Sequence, residues 1–423
     1  MPLPVIHAYG LLKAAAAKVN AANGRLDEDR ARAIAQAANE VSSGALDQHF
    51  PIAVWQTGSG TQSHMNVNEV IAHRANQILG VSSDAAQAVH PNDHVNMGQS
   101  SNDTFPTVMH LAILRELPQL VASLDVMIDS TRSRAQQWAE VVTIGRTHLQ
   151  DAVPMTVGAQ WRSYSSSLSA HRQRISRAAQ DLQQLSLGGT AVGTGLNAFP
   201  GFASEVLDIL SQETGMALEV SSDLPMAMST LDASVATSAT LRGLAVTLLK
   251  IADDIRLLAS GPRTGIHEIV LPPNEPGSSI MPGKVNPTQA EMLVMVSMQV
   301  MALDGAVAHA GSHGELQLNV MRPLVILNIL NAIDLLADAM HSFTVNCLDT
   351  IDLDYERINS YVQRSPMLVT ALAPHIGYDK ASAIAKHAMA NEMPLRQAAI
   401  ELGVAEDLYD RVVNPVRMAR AEE

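Results

Sequence analysis

Apolar residues recur at intervals of three and four through several segments much longer than an ordinary helix. The clearest covers 225–260, where Leu231, Val235, Leu241, Leu244, Leu248, Ile251, Ile255 and Leu258 mark one helical face. Asp223 stands ahead of it as a candidate cap, and Gly261-Pro262 stops it. Similar patterns run over 106–140, with Pro118 as a candidate kink, and over 154–187, ending at Gly188-Gly189. Two more cover 288–309 and 323–343. Ahead of these five, an Ala-rich run over 7–22, a second run over 27–42 and a third near 66–79 also read as helices. Shorter helical patterns after Asp352, with Gly377 among them, mark a small C-terminal domain. Helices of 30 residues are about 45 Å long, and these are apolar on more than one face. They fit either a long bundle within one chain or a central bundle that buries its spare faces against other copies.

Composition narrows the class. With 423 residues the chain can bury a large core and hold two or three domains. Hydrophobic residues are 47% but aromatics only 3%, so Ala, Leu, Val, Ile and 20 methionines must fill the interior, which favours helix. No unbroken apolar run is expected to reach the roughly 18 residues of a membrane span. Met1 to Gly10 lack the pattern of a signal peptide. Cys347 is the only cysteine, which rules out an internal disulfide and suits a reducing compartment. A soluble cytoplasmic protein is expected. A net charge of −14 argues against nucleic-acid and anionic-membrane binding.

That charge gives weight to one loop. Asn274–Pro287 combines Pro276, Gly277, Pro282, Gly283 and Pro287 with Ser278, Ser279, Lys284 and Asn286. Rigid prolines, hinge-capable glycines and convergent polar groups suit a loop that closes on an anion, and Lys284 is one of only six lysines. A second cluster is Thr57-Gly58-Ser59-Gly60-Thr61-Gln62-Ser63-His64, which allows close backbone approach and offers donors, though such strings are usually turns. A third, Gln99 to Thr104, precedes a helix; it fits capping by Asp103 or Thr104, or an anion site at a helix N-terminus. The fourth is Gly145 to Asp151, with His148 between Thr147 and Gln150; a lone histidine between helices is usually structural.

Three tempting patterns are set aside. Gly193 to Ala198 spells a dinucleotide-binding string but lies in helical surroundings. His90 and His94 have metal-ligand spacing, yet Pro91 intervenes and no acidic or thiol partner is apparent. Pro282-Gly283-Lys284 lacks the glycine spacing and the following Ser or Thr of a phosphate loop.

Taken in their order along the chain, the clusters resemble the signature blocks of the fumarase/aspartase superfamily, and most closely those of class II fumarases. Thr57–Glu69, His90–Pro106, Gly145–Asp151, Gly188–Asn197, Lys250–Pro262, Gly277–Glu291 and Leu318–Pro323 each match a block. The resemblance implies an all-α, three-domain lyase fold: a mostly helical domain over 1–97, a central bundle of five long helices over 98–354 and a small helical domain over 355–423. It implies a homotetramer with a twenty-helix core, active sites shared between subunits, and no metal or organic cofactor. By the same resemblance Ser278 is the general base, while His148, paired with Glu291, binds the water and assists the acid step. Ser59, Thr61, Ser100, Ser101, Asn102, Thr147, Lys284 and Asn286 would hold the two carboxylates of fumarate or malate. His90, Asn92 and Asp93 match the family's second anion site.

Departures from the pattern keep other readings in view. Asp151–Thr156 and Leu316–Asn319 look more like aspartase, which eliminates ammonia. His64 stands where the family usually has asparagine, Ala159-Gln160 replaces a Gln-Glu pair, and Gln317 a glutamate. Met226 and Met228 occupy a segment that differs from the usual fumarase pattern, and Gln87-Ala88 lacks the basic pair of some fumarases. The chain also begins later than the family does. A substituted C4 or C5 dicarboxylate would accommodate these changes. A non-catalytic lyase-fold protein, like the lens crystallins of this superfamily, would have no need of Ser278, Lys284, Asn286, Thr147 and His148.

Overall fold

The computed structural model describes residues 1–420, and the chain is 65% helical. Its helices are α1 (Leu3–Ala22), α2 (Glu28–Ser42), α3 (Thr61–Leu79), α4 (Ser101–Gln137), α5 (Val157–Leu182), α6 (Phe202–Thr214), α7 (Leu224–Ser229), α8 (Asp232–Leu258), α9 (Thr288–Gly311) and α10 (Arg322–Phe343). Six short helices follow: α11 (Tyr355–Arg364), α12 (Ala373–Ile376), α13 (Tyr378–Ala390), α14 (Leu395–Glu401), α15 (Glu406–Val412) and α16 (Pro415–Met418). One antiparallel hairpin, β1 (Val142–Thr147) and β2 (Gln150–Thr156), stands among them, and the remaining strands are two-residue pairs.

Most helical segments lie where the apolar spacing put them, and three details differ. The run over 225–260 is two helices. Asp223 caps α7 by accepting the Met226 N–H at 2.9 Å, but Thr230 is extended (ψ 171°) and α8 starts afresh at Asp232. The segment around His148 is a hairpin, because Val142, Thr143, Ile144 and Val153 are β-branched and Ile144 packs into an apolar cluster with Leu372, Ile384 and Ala398. The third concerns length. Asp232–Leu258, Thr288–Gly311 and Arg322–Leu348 are long and apolar enough, by length and composition, to cross a membrane. Isolated Asp, Arg and Thr residues break every unbroken run yet barely lower the mean hydropathy of such Ala-, Leu- and Met-rich helices.

Helices apolar on every side need a large core around them. Burial within this chain reaches 67% of the apolar window for the helix beginning at Arg322 but only 28% for α9. On α9, Glu291, Met295, Met298, Ala302, Gly305 and His309 are all exposed at alternating four- and three-residue spacing. That alternation is the spacing by which one helix can pack along another.

Two compact units emerge from the chain's contacts. The first gathers residues 1–122, 171–246 and 296–338; the second gathers 123–170, 247–295 and 339 onward. Each of α4, α5, α8, α9 and α10 gives a piece to both, so this division does not follow the boundaries 97/98 and 354/355. Within the first unit α1 and α2 pack tightly at Gly10, where a Cβ would lie 2.5 Å from the Ser42 nitrogen. In the second, Trp138 and Trp161 meet edge to face at 5.0 Å between ring centres.

Candidate active site

The N-terminus of α4 is built by a reciprocal cap. The Ser100 hydroxyl accepts the Asn102 N–H at 3.2 Å, and the Asp103 carboxylate returns to accept the Ser100 N–H at 2.9 Å. Ser100 is thus the cap, rather than Asp103 or Thr104, and Asp103 sits in the first turn. Its second oxygen accepts the N–H groups of Gly188 (3.1 Å) and Thr190 (3.0 Å), which ties the Gly-rich segment to the helix start. Burial raises the Asp103 carboxyl to about 6 despite those donors.

Against this helix start lies the turn before α3. Ser59 and Thr61 hydroxyls are 2.9 Å apart, and Thr61 and Ser101 hydroxyls 2.7 Å, giving a chain of three with Asn102 and Ser100 alongside. Two glycines make the approach feasible. A Cβ on Gly58 would lie 1.4 Å from the Val320 carbonyl oxygen, and one on Gly60, at φ 78°, would enter the Phe105 ring. Five of the expected carboxylate-holding residues therefore meet in one place: Ser59, Thr61, Ser100, Ser101 and Asn102.

Two buried cations support that place, and neither was expected to contribute to the site. Arg322 is fully buried, donating to the carbonyls of Asn102 (2.8 Å) and Met228 (2.7 Å), while its own backbone N–H donates to the Gly58 carbonyl. Desolvation lowers its pKa to about 10. Lys13, also fully buried, has only amide oxygens as partners. The signal available for Lys13 was a cation on the apolar face of an Ala-rich helix, whose other lysine, Lys18, reaches Glu213 at the surface.

Apart from His90, Asn92 and Asp93, which lie in the first unit, the remaining expected residues belong to the second. His148 and Leu149 form the two-residue turn of the hairpin, both left-handed (φ 54° and 59°). Such turns favour Asn-Gly, so the conformation is strained for these side chains. Thr147, His148 and Gln150 are exposed, and Leu149 is 68% exposed. Below the tip, Arg146 is paired with the buried Glu268 at 2.6 Å, which holds the hairpin base.

The loop over 277–287 closes on itself. Asn286 donates to the Gly277 carbonyl at 2.6 Å, and a Cβ on Gly277 would lie 2.0 Å from the Lys284 carbonyl oxygen. Inside this ring the Ser278 oxygen accepts two backbone N–H groups, from Ile280 (3.2 Å) and Met281 (3.1 Å). Lys284 is exposed, and Ile280 is 82% exposed. Ser278, Lys284 and Asn286 are thus brought together. Glu291 is exposed in the first turn of α9, and among the described residues no hydrogen bond or ion pair joins it to His148. His90, Asn92 and Asp93 lie on an exposed turn, where the His90 Nδ1 accepts the N–H groups of Asn92 and Asp93. The Asp93 carboxylate lies 3.2 Å from the same nitrogen.

Comparison with known proteins gives one consistent picture. Residues 3–302 match the lyase family, and residues 368–420 match the fumarase C C-terminus. The chain is 50% identical over 421 residues to the class II fumarate hydratase of Methanosarcina acetivorans, covering 99% of this chain and 87% of that one. It is 49% identical to the class II enzyme of Thermus thermophilus, covering 100% and 91%, and 49% identical to the mitochondrial fumarate hydratase of Saccharomyces cerevisiae, covering 99% and 86%. Among solved structures, the class II fumarase of Schistosoma mansoni superposes with a TM-score of 0.97 at 41% identity, over 99% of this chain and 91% of that chain.

Proposed function

The chain belongs to the lyase family in its class II fumarase branch, and from that premise we propose that it catalyses the reversible hydration of fumarate to L-malate. The observation that carries this reading is identity near one half to fumarate hydratases over almost the whole chain.

In the dehydration direction, Ser278 as alkoxide takes a proton from C3 of malate. The electron pair left behind moves onto the adjacent carboxylate, which becomes a doubly charged aci-carboxylate. The C2–C3 double bond then forms as the C2 hydroxyl leaves, taking a proton from His148 and departing as water. A serine alkoxide needs help to exist near neutral pH. Two N–H groups aimed at the Ser278 oxygen supply that help, with Lys284 a few residues away in the same loop. Charge developing on the carboxylate calls for pre-aimed donors: Lys284 and Asn286 from the loop, Thr147 from the hairpin, and Ser59, Thr61, Ser100, Ser101 and Asn102 at the α4 start. Glu291 would orient His148. His90, Asn92 and Asp93 would form a second, weaker anion site.

These groups are contributed by neighbouring copies in a homotetramer, the same arrangement that covers the exposed face of α9 and gives the strained hairpin tip something to dock against. The three spanning-length helices then serve as the core of the assembly of a soluble cytoplasmic enzyme, and the chain divides at 97/98 and 354/355. An assay with malate tests the reaction: fumarate should form, read by its ultraviolet absorbance. Fumarate from aspartate, and none from malate, would make the chain an ammonia-lyase. Sedimentation should give four copies.

A further inference from the structure

Beneath the hydroxyl cluster, within the first unit, lies a closed polar network that the reaction above does not use. Lys13 of α1 donates to the side-chain oxygens of Asn96 (3.3 Å) and Gln99 (3.0 Å). His64 of α3 has its Nε2 2.8 Å from the same Asn96 oxygen and its Nδ1 2.8 Å from the Thr104 hydroxyl. Lys13 is 0% and His64 1% exposed. Since the Asn96 oxygen can only accept, His64 carries a proton on Nε2. The Thr104 hydroxyl also lies 2.7 Å from the Ser100 carbonyl, so that carbonyl and the His64 Nδ1 compete for its one proton. Burial disfavours a charged His64, so positive charge in the network resides on Lys13. Gln99 and Thr104 bracket the residues Ser100, Ser101 and Asn102, so the network is the floor on which those donors stand.

We propose that Lys13 and His64 are positioning residues for the dicarboxylate site, Lys13 supplying a buried charge that strengthens anion binding and His64 fixing the turn that carries the donors. This rests on the dicarboxylate reading given above. The titratable groups facing the pair are Tyr9 of α1, whose ring lies 5.6 Å from His64, Asp103 of α4 and, farther away, Arg322 of α10. Other elements packed on α1 and α3 turn apolar side chains inward: Ala31, Ile34, Ala37, Ala38 and Val41 from α2, Phe202, Val206, Leu207 and Leu210 from α6, and Val95 from the 91–95 turn. Desolvation lowers Lys13 to about 7, raises Asp103 to about 6 and holds His64 well below its ordinary value, so Lys13 and Asp103 both change charge near neutral pH. Lys13 is charged below its point and neutral above it, and Lys13→Met isolates its share.

The test is calorimetric binding of succinate, a C4 dicarboxylate that cannot react, at pH 6 and pH 8. The parent Kd should rise about tenfold between them. Lys13→Met should bind weakly at both and Lys13→Arg tightly at both. His64→Gln, which cannot bridge Asn96 and Thr104, should keep the step but weaken binding about threefold throughout. In turnover these variants should move KM much more than kcat. A full step surviving in Lys13→Met, or His64→Gln binding like the parent, would overturn the proposal. Should the parent bind no succinate at any pH, the dicarboxylate reading falls. Unfolding temperature then decides the role of Lys13 by itself. Between pH 7 and pH 10 only the unfolded chain holds the lysine proton, so parent stability gains from this group as pH rises. The advantage of Lys13→Met over the parent should therefore be largest below pH 7 and shrink toward pH 10; a constant difference would rule out the depressed buried charge.

Discussion

The hydroxyl cluster at the start of α4 and the loop and hairpin of the second unit carry the same kind of polar residue in opposite physical states. Around Ser59, Thr61 and Ser101 the backbone is fixed by glycines with no room for a Cβ, the carboxylate of Asp103 is anchored by three N–H groups, and the cations beneath are sealed from water. One chain finishes that region. At the hairpin tip and the 277–287 loop, by contrast, Leu149 and Ile280 face solvent, and His148 and Leu149 hold left-handed conformations. Strain persists where surrounding structure over-determines it, and the exposed tip has little of its own to do so. The first region is a preformed receptor for charge. The second carries Ser278 and His148, the groups to which the proposed reaction assigns the chemistry, on an exposed loop and hairpin tip.

Replacing Ser278 with Ala tests the exposed side most severely. Losing the base should lower kcat by about 10³-fold, with the assembly and succinate affinity nearly unchanged because Lys284, Asn286 and the hydroxyl cluster remain. Turnover within a few-fold of the parent would remove Ser278 as the base and, with it, the meaning of the two N–H groups aimed at its oxygen. The finished side is challenged by Gly58→Ala. Its Cβ would fall inside the Val320 carbonyl, forcing apart the α3 and α10 entrances, and the expected destabilisation is about 3 kcal/mol or more, read by thermal unfolding. A near-neutral result would mean that the region yields, contrary to its description as preformed.

How far each region was readable from sequence follows the same contrast. Long helices were legible because their apolar period is strong, and α9 and α10 begin and end within a few residues of expectation. The break at Thr230 was not, since neither Pro nor Gly marks it and the apolar rhythm continues across it. Likewise the hairpin was hidden: its turn is His148-Leu149 instead of an Asn-Gly pair, and only its β-branched flanks hinted at strands. At the site, the hydroxyls and the serine loop stood out through family resemblance. Lys13 and Arg322 did not, because a cation's value there depends on burial without a carboxylate partner, which is a property of packing. His64 was visible only as a departure from the family's usual asparagine, with nothing in the sequence to connect it to Asn96 and Thr104.

The smallest expected effect discriminates best between the two states, because strain and docking pull in opposite directions at Leu149. Leu149→Gly relieves a left-handed side chain and, for the isolated hairpin, should stabilise by about 1 kcal/mol. If the tip is instead covered by another copy, the same change removes apolar burial worth about 2 kcal/mol per copy, and the loss exceeds the gain. The expected outcome is a net weakening of assembly, about five- to tenfold per interface, seen as dissociation at higher protein concentration in sedimentation, with turnover falling in parallel at high dilution. Because α1, α3 and the α4 start lie in the first unit, the succinate step set by Lys13 should persist in the fraction that remains assembled. A higher unfolding temperature with unchanged assembly would show that nothing covers Leu149, and the hairpin would then hold His148 by local strain alone.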